Sequence, residues 1–274
     1  METTRRGGVL ITGASSGIGS AFARILVGSG HDLIVVARRA DRLDELAEQM
    51  QDTGANIEVL VADLQDDSDV RRVEDRLRSR AEPVQHLVNN AGVTDYTFFA
   101  NSEIDRAVAQ LALHTAVPMR LMRAILPQLV QQGSGGVLNI ASTAGLQASP
   151  GLAAYSASKA ALITLSESVH HEVKPFGVRV SCLCPGYTRT ELQDAAGVDA
   201  SGLSRMSWMS ADTVARVGWR GYRRGRAIIV PGTINRATAV AFRYAPRTIS
   251  RHFIATIVRQ VHPHDHQSST AGPR

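Results

Sequence analysis

Tyr155 and Lys159 stand four residues apart in the run Tyr-Ser-Ala-Ser-Lys, inside a helical pattern. That spacing puts both side chains on one helix face. A free phenol has a pKa of about 10 and is a poor base at neutral pH. An adjacent ammonium favours the phenolate and is expected to lower that value. Ser142 comes thirteen residues before Tyr155, where an apolar run ends. Its hydroxyl can polarise a carbonyl oxygen. The three groups suit proton transfer at a carbonyl or alcohol oxygen. A Tyr-x-x-x-Lys pair by itself is common by chance, so its weight depends on what lies upstream.

Upstream is a glycine-rich loop, Thr12-Gly13-Ala14-Ser15-Ser16-Gly17-Ile18-Gly19, between a β-branched run and an amphipathic one. Glycines permit a tight turn and close approach of a pyrophosphate. The N–H groups opening the next helix supply donors and a favourable dipole. A strand, loop and helix in this order are the context that a dinucleotide-binding loop requires. Gly13, Ser15, Ser16, Gly17, Ile18 and Gly19 are therefore candidate cofactor contacts. The second strand should end in an acid if the cofactor is NAD(H). It ends instead in Ala37-Arg38-Arg39. Two guanidinium groups suit a 2′-phosphate through charge-assisted bonds, so NADP(H) is favoured and NAD(H) is the alternative. Asp63 and Leu64 close the third strand. Asp63 either accepts from the adenine amino group or caps the next helix.

Apolar runs alternate with amphipathic stretches along the chain. Strands are expected over 8–13, 32–38, 57–64, 86–92, 137–142, 178–184 and 226–230. Helices are expected over 17–27, 41–51, 67–80, about 101–131, and 153–174. Continuous apolar strands separated by helices indicate a parallel sheet covered on both faces. Right-handed crossovers then give an α/β doubly wound sheet of seven strands. One domain is expected over 1–234. A basic amphipathic helical extension follows over 235–262, divided by Pro246, with a loose tail over 263–274. Cys182 and Cys184 alternate within one apolar run. They are expected on opposite sides of a strand, forming neither a disulfide nor a metal pair.

Together these pieces resemble the short-chain dehydrogenase/reductase family over about residues 7–232. The resemblance rests on the glycine loop, Asn89-Asn90-Ala91-Gly92, Ser142, Tyr155 with Lys159, and Pro185-Gly186 followed by Thr188 and Thr190. It implies a Rossmann fold, a nicotinamide cofactor and a homodimer or homotetramer. By the same resemblance Tyr155 is the acid in reduction and the base in oxidation. Lys159 binds the nicotinamide ribose and tunes Tyr155, and Ser142 orients the substrate oxygen. Asn90, Ala91 and Gly92 line the adenosine-ribose side. Pro185, Gly186, Thr188 and Thr190 flank the carboxamide. One position departs from the pattern. The family often carries an asparagine in the long helix after the fourth strand, completing a water-mediated proton relay to the lysine. Here that position is His114, and an imidazole can also donate and accept. Pro118 follows four residues later and removes a helix donor, so a kink is expected.

The segment from Tyr187 to Ala211 contains Leu192, Leu203, Met206, Trp208 and Met209. These would line an adaptable apolar pocket, which suits a small hydrophobic ketone or secondary alcohol of steroid or fatty-acyl type. The 274 residues carry a net charge of +5, yet 213–274 holds eleven arginines against one acid, Asp265. That asymmetry suggests an acidic partner, and peripheral contact of 235–262 with an anionic membrane is slightly favoured over oligomer packing or closure of the substrate cleft. No recognition helix or RNA motif accompanies the arginines, so nucleic acid is not expected. No apolar run approaches the ~20 residues of a membrane span, and no secretory leader precedes the first strand, which points to the cytoplasm. The run His262-Pro263-His264-Asp265-His266 is assigned no metal. An NADP(H)-dependent oxidoreductase is the leading function. The alternative is a cofactor-binding, membrane-recruited module of the same fold with weak or no catalysis.

Overall fold

The computed structural model describes residues 6–191 and 208–244. The chain alternates β1 (Arg6–Thr12), α1 (Gly17–Val27), β2 (His31–Ala37), α2 (Ala40–Glu48), β3 (Ile57–Val61), α3 (Asp67–Arg78) and β4 (Val84–Asn89). It continues with α4 (Ile104–Leu111), a π-helical turn (Ala112–Ala116), α5 (Val117–Gln132), β5 (Gly136–Ile140), α6 (Ala153–Val173) and β6 (Arg179–Leu183). Short strands β7 (Thr188–Arg189) and β8 (Met209–Ser210), α7 (Ala211–Arg223), β9 (Ile228–Ile229) and α8 (Thr233–Tyr244) complete it.

The main sheet has seven strands in the order β3-β2-β1-β4-β5-β6-β9. Every pair in it is parallel. β1 pairs with β2 through Leu10↔Ile34 and with β4 through Leu10↔Leu87. Strand order reverses between β1 and β4, which opens a crevice beyond their carboxyl ends. Alternate β1 residues feed two cores, as a pleated strand requires. Val9 and Ile11 pack with Phe22, Leu26, Trp219 and Tyr222 under α1 and α7. Leu10 packs with Val73, Leu121 and Ile125 under α3 and α5.

Local chemistry sets the helix starts. The Asp66 side chain accepts from the N–H groups of Ser68 and Asp69 and caps α3. Asp63 is therefore not that cap. Its Oδ1 accepts from the Gln65 N–H at 3.0 Å, and it faces Arg38 at 3.8 Å. Ser210 caps α7 through the Thr213 N–H. Ser16, before α1, makes no such side-chain bond, and the first turn of α1 carries no acid. That helix start keeps its donors for something else.

Several expected boundaries shift. β5 ends at Ile140, so Ser142 lies in the turn beyond it and caps the 3-10 turn Thr143–Leu146. Asn90 to Gly92 lie past β4 in the loop. The long helix after β4 is broken at the π turn, where Pro118 has no N–H for the carbonyl of His114. Cys182 and Cys184 do not face opposite sides. Residues two apart share a strand face, and both free thiols are buried in one cluster with Ala141, Leu162 and Ile163. The proposed boundary at 234 falls inside α8, which packs against the Thr143–Leu146 turn. Residues 192–207, the remainder of the extension from 245 and the histidine-rich tail lie outside the described residues. Among the described residues no helix is long and apolar enough to cross a membrane.

Candidate active site

The crevice at the β1/β4 switch is a cleft of about 420 Å³. It brings together Gly13, Ser15, Ser16, Gly17, Ile18, Arg38, Arg39, Asp63, Leu64, Asn90, Ala91, Gly92, Ser142, Tyr155, Lys159, Pro185, Gly186, Thr188 and Thr190. Gly19 is not in its wall. A Cβ there would come within 2.2 Å of the Gly13 oxygen, so Gly19 is needed for close packing beneath the loop. Gly13 has a φ of +65°, and a Cβ on it would meet the backbone of Ala91 at 2.8 Å. The β1 and β4 loops thus touch backbone to backbone. Thr12 and Asn90 tie them. The Thr12 hydroxyl accepts from the N–H groups of Asn90 and Ala91, and Asn90 Nδ2 donates to the Thr12 and Gly13 oxygens. The Asn90 amide is spent on holding the loops together.

At one end of the cleft Arg39 donates to Ser15 Oγ at 3.2 Å and to Glu191 at 3.0 Å. Arg38 and Arg39 are exposed at the rim. Sequence spacing gave no sign of Glu191, which also contacts Ser16 and is held below the usual carboxylate range chiefly by Arg39. The pieces fit a dinucleotide with an extra phosphate. Uncapped helix donors open onto a loop in which Gly13 and Gly19 leave no room for a Cβ, and guanidinium groups stand where an acid would select against that phosphate.

At the other end, helix α6 presents Tyr155 and Lys159. Lys159 Nζ is buried, lies 5.6 Å from the centre of the Tyr155 ring and donates to the Ile140 oxygen at 3.0 Å. Burial lowers its pKa to about 8, with Cys182 and Cys184 pulling weakly the other way. Tyr155 is pushed up from the usual phenol value by burial, and contact with the Ser142 hydroxyl only partly offsets this. The expected depression by the ammonium is not found. The cation sits over the ring and spends a proton on Ile140, while desolvation penalises the phenolate more. At neutral pH Tyr155 is a protonated donor. Ser142 Oγ accepts from the Ala144 N–H at 3.1 Å, which fixes the hydroxyl in the turn.

The turn beyond β6 carries the remaining residues. The Thr188 hydroxyl donates to the Gly186 oxygen at 3.0 Å, and a Cβ on Gly186 would strike the Asn235 side chain at 2.6 Å. The start of α8 therefore closes onto the Pro185–Gly186 turn. Of the expected substrate segment, Tyr187 and Trp208 stand with ring centres 5.5 Å apart. Leu192, Leu203 and Met206 fall outside the described residues.

A sequence model of the short chain dehydrogenase family matches residues 8–200. The chain belongs to that family. The dehydrogenase is similar to a short-chain dehydrogenase from Sphingobium yanoikuyae solved in complex with NADPH. The two share 34% identity and a TM-score of 0.80, over 94% of this chain and 98% of the other. It is also similar to the bulky-bulky ketone specific alcohol dehydrogenase from Comamonas testosteroni, at 30% identity and a TM-score of 0.76, covering 94% and 97%. The 11-beta-hydroxysteroid dehydrogenase 1A of Arabidopsis thaliana is 38% identical over 186 residues, which are 67% of this dehydrogenase and 53% of that relative. The fold places the family's site pieces in one cleft, and the dehydrogenase is an oxidoreductase.

Proposed function

We propose that this dehydrogenase is an NADP(H)-dependent enzyme interconverting bulky hydrophobic ketones and their secondary alcohols. The observation that carries the reading is Tyr155 beside Ser142 and Lys159 in the same cleft as the uncapped start of α1 and Arg38 with Arg39. The residues that would hold the cofactor are the Gly13–Gly19 loop, the two arginines, Asp63 and Leu64 beside the adenine, the Asn90–Gly92 loop, Lys159, and the Pro185–Thr190 turn. When bound, the nicotinamide supplies or takes up a hydride at the substrate carbon. The chain's own groups handle the oxygen. Tyr155 Oη gives it a proton as charge develops, and the Ser142 hydroxyl donates a second hydrogen bond. In oxidation Tyr155 works as the base, and the direction of net reaction follows the cofactor ratio and the substrate. A hydrophobic ketone is supported by the relatives, one a bulky-bulky ketone specific alcohol dehydrogenase and another an 11-beta-hydroxysteroid dehydrogenase.

Turnover of a ketone panel with NADPH and NADH, followed at the nicotinamide absorbance, tests this reading. NADPH should be preferred. Replacing Tyr155 by Phe should lower kcat roughly 100- to 10,000-fold, with NADPH affinity retained. An unaffected Tyr155→Phe enzyme would remove the assignment. Cofactor binding without turnover of any ketone by the native chain would favour the binding-module alternative.

The assembly is proposed to be a homodimer or homotetramer, with the exposed Ile104, Val108 and Leu111 stripe of α4 as the covered face. Sedimentation of Val108→Asp against the native chain checks it, and unchanged mass would remove that face. Contact with α8 at the Pro185–Gly186 turn supports cleft closure by the start of the extension. Peripheral membrane contact is kept for the basic stretch beyond Tyr244. Flotation with anionic vesicles, lost on truncation after Tyr244, is its expected signature, and equal flotation of both forms removes it.

A further inference from the structure

His114 sits in the π turn between α4 and α5, is 1% exposed, and has both ring nitrogens engaged. The Val93 N–H donates to Nε2 at 3.0 Å. Nδ1 lies 2.9 Å from Ser158 Oγ, and that hydroxyl donates to the Tyr155 carbonyl at 2.7 Å. A main-chain N–H can only donate, so Nε2 must carry the lone pair. Ser158 has one proton and spends it on Tyr155, so Nδ1 must carry the hydrogen. Both partners demand the same neutral tautomer.

The surroundings reinforce this arrangement. The ring stands edge-on to Tyr155, with centres 5.5 Å apart and planes at 84°. The Val93 oxygen accepts from Gln110 Nε2 at 3.3 Å, so the main chain of Val93 is held from α4 as well as from the π turn. Thr115 Oγ1 donates to the Ser158 oxygen at 3.2 Å, a second tie from the turn to α6. A Cβ on Gly92 would come within 2.9 Å of Nε2, so the loop fits the imidazole only with glycine there. Two titratable groups face the ring, Tyr155 and Lys159, both from α6. Burial, and then the Lys159 cation, keep the ring neutral well below its ordinary range.

We propose that His114 is a positioning residue, a single-tautomer strut that fixes the cofactor-side loop at Val93 to the catalytic helix at Ser158 and Tyr155. The imidazole does not pass protons to Lys159, because neither nitrogen is free to exchange one without breaking a strut bond. The side chain thus replaces the expected proton-relay role with a mechanical one. Its influence on catalysis is through the angle and depth of Tyr155. This inference rests on the proposed role of Tyr155, whereas the tautomer does not.

Nitrogen-15 spectra of histidine-labelled protein, with His114→Asn to assign the signal, read the tautomer directly and need no turnover. The expected result is one ring with Nδ1 protonated and Nε2 unprotonated at neutral pH. A charged ring or the opposite tautomer would overturn the strut. Kinetics supply the second arm. His114→Leu should lower kcat roughly tenfold to a hundredfold at saturating NADPH, the scale expected of a misplaced reacting group. NADPH affinity should stay close to native. His114→Asn, which keeps an acceptor for Val93, should recover part of the loss. Ser158→Ala removes only the far acceptor and should lower kcat even if His114→Leu does not fold. Native kcat in both His114→Leu and Ser158→Ala would refute the proposal. Loss of the Tyr155→Phe effect with an intact tautomer would instead count against the role of Tyr155.

Discussion

The ammonium of Lys159 points at the main-chain oxygen of Ile140, 3.0 Å away, and not at the phenol four residues earlier on the same helix. A buried amine with one neutral acceptor is held in its charged form at a cost. Its pKa falls from 10.5 to about 8. Between those values the unfolded chain keeps a proton that the folded chain has released, so this group makes stability rise with pH across that window. The full effect is about 3 kcal/mol. Lys159→Met should remove the rise. Cys184, whose thiol is raised, and the raised phenols act with the opposite sign. The quantity to read is therefore the difference between native and variant melting curves from about pH 8 to 10.5. Parallel curves would show that Lys159 is not desolvated.

Arg39 divides its guanidinium between Ser15 and Glu191, so an internal carboxylate occupies donors that a 2′-phosphate would use. Glu191→Gln should tighten NADPH binding by up to about fivefold, the scale of an exposed ion pair, and leave NADH nearly unchanged. Arg39→Ala should weaken NADPH about tenfold to a hundredfold, as expected for a lost charge-assisted bond. Titration calorimetry with each dinucleotide measures both. An NADPH-to-NADH affinity ratio unmoved by either change would take the 2′-phosphate away from Arg39.

Gly145 lies against α6. A Cβ on it would stand 2.6 Å from the Lys159 carbonyl carbon and 2.8 Å from the Ala160 nitrogen. Backbone atoms of a helix do not yield, so Gly145→Ala should lift the Thr143–Leu146 turn and carry Ser142 with it. The expected outcome is a loss of about 1–3 kcal/mol in stability, together with a fall in kcat at unchanged NADPH affinity. Calorimetry and steady-state kinetics check the two parts. A variant with native kcat would show that the turn moves without Ser142.

Seven strands and the placing of Tyr155 and Lys159 on one helix beside the cleft were legible because both depend on local pattern. Val9, Leu10 and Ile11 announce a strand covered on both faces, and Tyr155 and Lys159 need only a helix. Chain ends of elements were less legible. Ser142 belongs to a turn because its side chain accepts from Ala144, a bond that apolar patterning does not encode. Asp63 lost the capping role to Asp66, three residues nearer the helix. Glu191 was silent, since it meets Arg39 only after 152 residues of chain have folded. The expectation that Cys182 and Cys184 face opposite sides was wrong, because residues two apart on a strand share a face. His114 shows the same division. Its position was found by counting, but its tautomer follows from Val93 and Ser158, which tertiary packing brings to it.

His86, toward the amino end of the central strand β4 and away from the cleft, meets Tyr222 with Nδ1 2.7 Å from the phenolic oxygen. His31 and Trp219 stand edge-on to it, with centres 5.6 Å and 5.5 Å away. Burial, then His31 and Arg179, lower its pKa from 6.5 to about 4. A neutral imidazole is therefore favoured in the folded chain. Stability from this group is complete above pH 6.5, and it is lost as pH falls toward 4, because the unfolded chain takes up the proton first. The full loss is about 3 kcal/mol. His114 is shifted in the same direction and adds to the slope. His86→Gln keeps a hydrogen-bonding side chain for Tyr222 but cannot titrate. Its melting temperature should fall less than that of the native chain between pH 7 and pH 5, with a residual slope left by His114. If both proteins lose stability equally over that range, His86 is not the group that links α7 packing to acid.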